Sequence, residues 1–168
     1  MSIRTVAELM EISARTAPKA KGEDYVVVRI VEGESLKRLG EALIAYGQRI
    51  GKDFFERDGR CILNSEAVVL VGLKDARPSG LNCAACGSPT CVKPNTVEGQ
   101  FRGPNCAMRL LDMGIAVGSA VKTAGILNVD NRVFYTAGPS ARELGLIDAD
   151  IVIGIPLSVT GKSIYFDR

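Results

Sequence analysis

The sequence contains no histidine among its 168 residues. Without histidine, the chain lacks the usual general base that activates a serine or cysteine nucleophile, so hydrolysis of that kind is not expected. Zinc sites that combine cysteine with a histidine pair are excluded for the same reason. Tryptophan is also absent, and aromatic residues make up only 5% of the chain.

Other absences limit the partners and the cellular compartment that we expect for the protein. Lysines and arginines are scattered among acids at a net charge of +2, so we expect no nucleic-acid partner. No run of about 18 apolar residues occurs, so no membrane span is expected. The first residues resemble neither a signal peptide nor a transit peptide. The odd count of five cysteines argues against a secreted disulfide scaffold. These features together predict a cytoplasmic protein.

The length and composition predict one folded domain over residues 1–168, with 46% hydrophobic and 24% charged residues. Helical periodicity predicts long helices, and short apolar runs predict buried strands. The predicted helices are 2–17, 33–50, 52–64, 107–126 and 140–144, and the strands are 25–31, 66–73 and 151–155. Residues 129–136 are predicted as a loop or an edge strand. This alternation predicts an α+β or α/β class with a three-layer core.

Two details of this prediction can be tested directly. Because residues 25–31 are almost continuously apolar, we expect this strand to lie centrally in the sheet. Pro156 is expected to end the last strand.

The helix at 107–126 is rich in Gly, Ala and Ser, and each helical glycine costs about 1 kcal/mol relative to alanine. We expect close packing against another helix, or across a dimer axis, to compensate for that cost.

The segment 77–108 holds four of the five cysteines in the pattern C-x2-C-x4-C-x14-C: Cys83, Cys86, Cys91 and Cys106. Three thiols within nine residues are too crowded to form ordinary disulfides. Gly80 and Gly87 can adopt positive φ, and backbone N–H groups of such a turn can surround a thiolate or a sulfide. Four thiolates suit an iron–sulfur cluster or structural zinc.

The spacing favours a cluster. Structural zinc sites usually combine two short knuckles, whereas the second half of this motif is one distant cysteine. Plant-type 2Fe–2S ferredoxins have the reverse order, C-x4-C-x2-C. Cys61 lies apart from the motif and is predicted to be a small buried residue, with a sensor thiol or stray ligand as the alternative. Asp112 is predicted either to lie on the helix surface or to accept a hydrogen bond from the cysteine loop.

Residues 82–91 (NCAACGSPTC) and 103–106 (GPNC) resemble a family of uncharacterised prokaryotic proteins described as containing a ferredoxin domain. The resemblance continues through 112–120, 149–158 and 161–168. The cysteine arrangement is also similar to the 4Fe–4S domain in electron-transfer subunits of anaerobic redox complexes. These resemblances imply a 4Fe–4S cluster rather than 2Fe–2S or zinc.

The scaffold shows a second resemblance, to flavin-dependent nitroreductases. It rests on Ala17-Pro18 before the strand at 25–31, on 112–116 (DMGIA), and on 142–146 (RELGL) before the last strand. The resemblance implies a nitroreductase-like three-layer core and a homodimer with flavin at its interface.

This chain has few of the basic residues that would hold a flavin phosphate. The arginine- and serine-rich motif of the first helix is represented only by Arg15-Thr16, followed by Lys19 and Lys21. We expect these residues to form a solvated basic loop, so FMN is a candidate cofactor that should bind only weakly.

The leading hypothesis is an iron–sulfur protein that transfers electrons to an unidentified redox partner. One alternative is a reductase of a small molecule that uses flavin and a cluster together. A further alternative is a non-catalytic dimeric module in which the cysteines hold a structural zinc.

Overall fold

The computed structural model describes residues 2–92 and 95–166. Its helices are α1 (Ile3–Thr16), α2 (Gly33–Ile50), α3 (Asp53–Leu63), α4 (Ala107–Ile126) and α5 (Ala137–Glu143). Its strands are β1 (Val26–Val31), β2 (Ala67–Leu73), β3 (Val97–Glu98), β4 (Arg102–Gly103), β5 (Asp130–Asn131) and β6 (Ile151–Ser158). None of the helices in the described part of the chain combines the length and apolar content that crossing a bilayer requires.

A four-stranded antiparallel sheet forms the middle layer, in the order β1-β2-β6-β5. The registers place Val28 opposite Val71, and Val71 opposite Ile153. The expected central position of the strand at 25–31 is therefore wrong, because β1 lies at the edge of this sheet. An apolar run indicates that both faces of a strand are covered by helices. It does not indicate whether the strand has one neighbouring strand or two.

Helices cover both faces of the sheet. Successive residues of β2 point into opposite cores, as the pleat of a strand requires. Val69 packs in the core that contains Met10 of α1 and Ala120 of α4. Its neighbour Leu70 packs in the core that contains Leu39 of α2. The predicted three-layer α+β architecture is thus confirmed.

Two element boundaries differ from the prediction by more than one residue. β6 continues through Pro156 to Ser158 instead of ending before the proline. Gly154 donates to and accepts from the backbone of Phe134. Because backbone N–H groups alternate in direction along a strand, the nitrogen of Pro156, two residues later, points to the same side of β6. The neighbour on that side, β5, has only two residues, so the missing N–H costs little. α5 begins at Ala137, three residues early, because a proline is tolerated in the first turn of a helix.

The small residues of α4 lie on two different faces of the helix. Ala116, Ala120 and Ala124 are fully buried and belong to the same core as the residues of α1. Ser13 and Thr123 share a hydrogen bond of 2.6 Å between these helices. The predicted close helix packing is therefore present, and alanines supply it. The glycines face outward: a Cβ added at Gly114 or Gly118 would meet no atom within 4 Å.

Candidate metal centre

The structure brings Cys83, Cys86, Cys91 and Cys106 to the wall of one cavity of about 420 Å³. Cys83 and Cys86 are exposed, whereas Cys91 and Cys106 are partly buried. The cavity wall also includes Asp75 and Ala76, which follow β2, both residues of β4, and Ala107 at the start of α4. Four thiols that are spread over 24 residues of sequence therefore line one open cavity.

Cys61 lies elsewhere. It is on α3, where its sulfur lies 3.5 Å from the carbonyl oxygen of Ile164 in the C-terminal segment. It does not line the cavity of the other four cysteines. Cys61 packs against the core but is only partly buried, so the predicted burial is incomplete, and its exclusion from the ligand set stays a prediction.

The cysteine loop has an unusual backbone. Gly80 and Gly87 have φ of +72° and +84°, as their positions next to the motif predicted. Asn82 and Ala84 also have positive φ, at +48° and +56°. A left-handed conformation costs an alanine of order 1–2 kcal/mol, so a left-handed alanine between Cys83 and the next cysteine indicates a conformation imposed by the loop.

Hydrogen bonds hold the third cysteine to the start of the loop. The backbone N–H of Asn82 donates to the sulfur of Cys91 at 3.2 Å. In return, the backbone N–H of Cys91 donates to the side-chain oxygen of Asn82 at 2.9 Å. The C-x4-C half of the motif is therefore tied back to the residue that precedes its first cysteine.

Cys106 occupies the N-cap position of α4. Burial by itself would raise the pKa of this thiol. Backbone N–H groups of Ser79, Arg109 and Met108, together with the Ser79 hydroxyl, outweigh that effect and hold the pKa of Cys106 below its usual value. The N-terminus of a helix favours negative charge in the same way. These donors thus favour the thiolate form of Cys106.

Arg109 is fully buried one turn after Cys106 and connects the cysteine loop to the loop after α1. Its guanidinium donates to the carbonyl of Arg77 at 3.0 Å and to that of Ala20 at 2.8 Å. It also pairs with the carboxylate of Glu23, and with Asp112 at 3.3 Å. One side chain therefore fixes the beginning of the cysteine segment against α4.

The predictions for Asp112 were wrong in both forms. Its side chain is buried, so it does not lie on the helix surface. Its carboxylate accepts the backbone N–H of Ala20 at 2.8 Å and pairs with Arg109, and both of these partners in the described part of the chain lie outside the cysteine loop. Burial of this carboxylate is stabilised because both of its oxygens have partners.

Asp150 holds both ends of the cysteine segment to the sheet. Its carboxylate accepts the backbone N–H of Asp75, the second residue after β2, at 2.9 Å. The other carboxylate oxygen pairs with Arg102 of β4 at 3.1 Å. The backbone N–H of Arg102 also donates to the carbonyl of Asp150 at 2.8 Å. Three residues that are distant in sequence are therefore joined at the wall of the cavity.

The described residues do not form a compact site for a single ion. Across 2–92 and 95–166, no three cysteine, aspartate or glutamate side chains are grouped so that they could hold a metal ion. The thiols surround a space instead of meeting at one point. Whether this space holds metal stays a prediction.

The comparison of sequences identifies relatives. A family described as "Uncharacterized protein containing a ferredoxin domain" matches residues 102–168. An uncharacterized protein of Archaeoglobus fulgidus is 44% identical over 169 residues, which cover 99% of this chain and 91% of the relative. The chain belongs to this ferredoxin-domain family. The matched residues 102–168 include Cys106, and the other three cysteines of the cavity precede them.

Solved structures share the fold of this ferredoxin-domain protein. The nitroreductase CinD from Lactococcus lactis, in complex with chloramphenicol, has a TM-score of 0.65 at 13% identity, over 99% of this chain and 85% of CinD. A nitroreductase with bound FMN from Desulfitobacterium hafniense has a TM-score of 0.64 at 14% identity, over 97% and 81%. The FMN-dependent NfnB from Mycobacterium smegmatis has a TM-score of 0.61 at 14% identity, over 94% and 78%. The predicted nitroreductase-like fold is confirmed.

The basic residues considered for a flavin phosphate are largely engaged within this ferredoxin-domain protein. The ammonium of Lys19 donates to the carbonyls of Ala14 and Arg15, both at 2.7 Å, at the C-terminal end of α1. Its side chain is 4% exposed, so the expectation of a solvated residue was wrong here. Arg15 itself donates to the carbonyl of Val26 at 2.9 Å. Helix C-termini attract cations, which explains this use of lysine.

Sequence reasoning missed Asn82, Arg109 and Asp150 as parts of the site. A signal existed for Arg109, which is the only charged residue in the first turn of α4. Asn82 also gave a signal, because asparagine tolerates the left-handed region. No local pattern marked Asp150, since its partners lie 48 and 75 residues away.

Proposed function

We propose that this protein binds one 4Fe–4S cluster through Cys83, Cys86, Cys91 and Cys106 and transfers electrons to a redox partner. The observation that carries the proposal is the single cavity whose wall contains all four thiols. When bound, a 4Fe–4S cluster accepts and releases one electron at a time. The family description and the nitroreductase-like fold both agree with a redox role.

The chemistry of the cavity suits a cluster. Cys91 and Cys106 receive N–H donors, which stabilise thiolate charge. A cubane has iron at separate corners, so its four thiolates enclose a larger space than the ligands of a single zinc ion. Four thiols on the wall of one cavity match the ligand set of such a cluster, and the spacing C-x2-C-x4-C-x14-C lacks the second short knuckle that structural zinc sites usually have.

The exposed side of the cavity gives a redox partner access. Cys83 and Cys86 lie at the surface, and the neighbouring apolar side chain of Leu81 is 55% exposed. Cys106, by contrast, is anchored on α4. We infer that electrons enter and leave through the side of the cavity formed by Cys83 and Cys86.

Metal analysis of anaerobically purified protein tests the proposal. We expect about four irons and four sulfides per chain and a brown protein that can be bleached by a reductant. A matched preparation under air should lose iron and colour. Stoichiometric zinc, with no iron taken up during anaerobic reconstitution, would instead support the alternative of a structural zinc module.

A reductase that combines flavin with a cluster is the second candidate. It is favoured by the likeness to structures such as the nitroreductase with bound FMN from Desulfitobacterium hafniense. The engagement of Lys19 and Arg15 by backbone carbonyls argues against a strong phosphate site. A fluorescence titration should therefore show weak FMN binding. Tight stoichiometric binding would favour the reductase over the electron carrier.

We also propose a homodimer that packs through the outward face of α4. Leu111 and Ile115 on this face are 58% and 45% exposed. Gly114 and Gly118 lie beside them with open space above their Cα atoms. A contiguous apolar surface with small residues allows the backbone of a second helix to approach closely. A second copy of the chain would bury this surface.

A further inference from the structure

Asn82 does more than connect the glycine turn to the first cysteine. We propose that it is a positioning residue that fixes Cys91 within the cluster site, an inference that rests on the function proposed above. The two residues exchange hydrogen bonds in both directions. The N–H of Asn82 reaches the Cys91 sulfur at 3.2 Å, and the side-chain oxygen of Asn82 receives the Cys91 N–H at 2.9 Å.

Asparagine meets two requirements at this position. The backbone has φ +48°, a region that glycine and asparagine adopt far more readily than other residues. The side chain must also provide an acceptor for the N–H of Cys91. Glycine would satisfy only the backbone, and alanine would satisfy neither requirement. Aspartate would satisfy both but would add a negative charge beside a thiolate.

The contact has a chemical consequence. An N–H donor to a ligating sulfur stabilises negative charge on it, and hydrogen bonds to sulfur help to set the reduction potential of a cluster. Cys83 and Cys86 are exposed, and within residues 2–92 and 95–166 their sulfurs have no such donor. The hydrogen bonds with Asn82 thus hold the Cys91 side chain in one orientation at the site.

Hydrogen exchange at residue resolution tests the contact itself, whether or not metal is bound. Asn82→Gly keeps the backbone conformation but removes the acceptor, so the Cys91 amide should exchange at least roughly fivefold faster than in the wild type. Asn82→Asp keeps the acceptor and should preserve the protection of that amide. Equal exchange in the wild type and Asn82→Gly would overturn the proposal.

The reduction potential and the retention of iron test the consequence. Asn82→Asp should keep its iron and shift the potential to more negative values, whereas Asn82→Gly should lose iron to a chelator faster than the wild type. Asn105→Asp is the matched control, because Asn105 lines the same cavity but donates to the carbonyl of Arg102 at 2.7 Å. Its potential should shift less than that of Asn82→Asp, and equal shifts would overturn the role of Asn82.

The two proposals fail in different ways. If wild-type protein takes up no iron during anaerobic reconstitution, the cluster function fails, while the exchange of the Cys91 amide still decides whether Asn82 holds that residue. If the wild type binds iron but Asn82→Gly matches it in amide exchange and chelator resistance, the cluster function stands and the inference about Asn82 fails.

Discussion

Asp150 and Arg102 form an ion pair of 3.1 Å that joins the start of β6 to β4, which follows the first three cysteines of the segment. The Asp150 side chain is only 12% exposed, and its second oxygen holds the backbone N–H of Asp75. A single carboxylate therefore closes the loop that carries three of the cysteines. Such a clamp fixes where the segment leaves the sheet and where it returns.

Replacing Asp150 by asparagine should destabilise the fold by about 1–2 kcal/mol, because it weakens two charge-assisted hydrogen bonds. Urea unfolding of the wild type and variant measures the difference. Asp148→Asn is the control, since Asp148 is 78% exposed in its pair with Lys74. Its replacement should leave stability unchanged, and equal losses in both variants would contradict the role of Asp150.

Arg109→Met should cost about 3–5 kcal/mol, because it leaves the buried carboxylate of Asp112 without its cationic partner. Denaturant unfolding, monitored by circular dichroism, gives the magnitude. Lys122→Met is a matched change at an exposed position on the same helix. A stable Arg109→Met protein would show that the guanidinium is not needed to hold the two loops together.

The ligand assignment predicts opposite effects at two cysteines. Cys106→Ser should lose or degrade the cluster, because it removes a proposed ligand at the N-cap of α4. Cys61→Ser should retain full iron content, since Cys61 lies outside the cavity. Iron and sulfide analysis after anaerobic reconstitution compares them. Loss of iron from Cys61→Ser in a protein with normal circular dichroism would overturn the assignment.

Ile115→Glu should convert the proposed homodimer to a monomer, because it places a charge in the apolar face of α4. Light scattering at micromolar concentration measures the mass. Val159→Glu introduces the same charge at a residue that is 61% exposed and lies outside α4, and it should remain dimeric. A monomeric wild type would remove the explanation offered for the outward glycines of α4.

Tyr165 predicts how stability changes at alkaline pH. Burial raises the pKa of its phenol well above the usual value, although a 2.8 Å hydrogen bond with Ser65 opposes that shift. The folded protein therefore keeps a proton that the unfolded chain releases near pH 10, so this contribution is complete below about pH 10 and decreases as the pH rises further.

Tyr165→Phe should show a smaller loss of unfolding free energy above about pH 10 than the wild type. Ser65→Ala, which removes the hydrogen bond but keeps the phenol, should retain the wild-type dependence or steepen it. Urea titrations across this pH range measure both. An unchanged slope in Tyr165→Phe would assign the alkaline loss to other groups.

The sequence alone determined most of the secondary structure and the location of the site. The apolar spacing of Leu36, Leu39 and Leu43 placed α2 at its observed residues, because helix periodicity indicates which side chains are buried. The crowding of Cys83, Cys86 and Cys91 indicated a common centre, and the positions of Gly80 and Gly87 indicated the positive φ that the loop adopts.

Only the tertiary structure decided which distant groups meet. It brought Asp150 to Arg102, turned Lys19 back onto the end of α1, and buried Arg109 between two loops. It also placed β1 at the edge of the sheet. Local sequence patterns report whether a residue is buried, whereas the identity of its partner depends on how segments that are tens of residues apart pack. For a buried charge, that partner determines whether the residue supports a site or destabilises the fold.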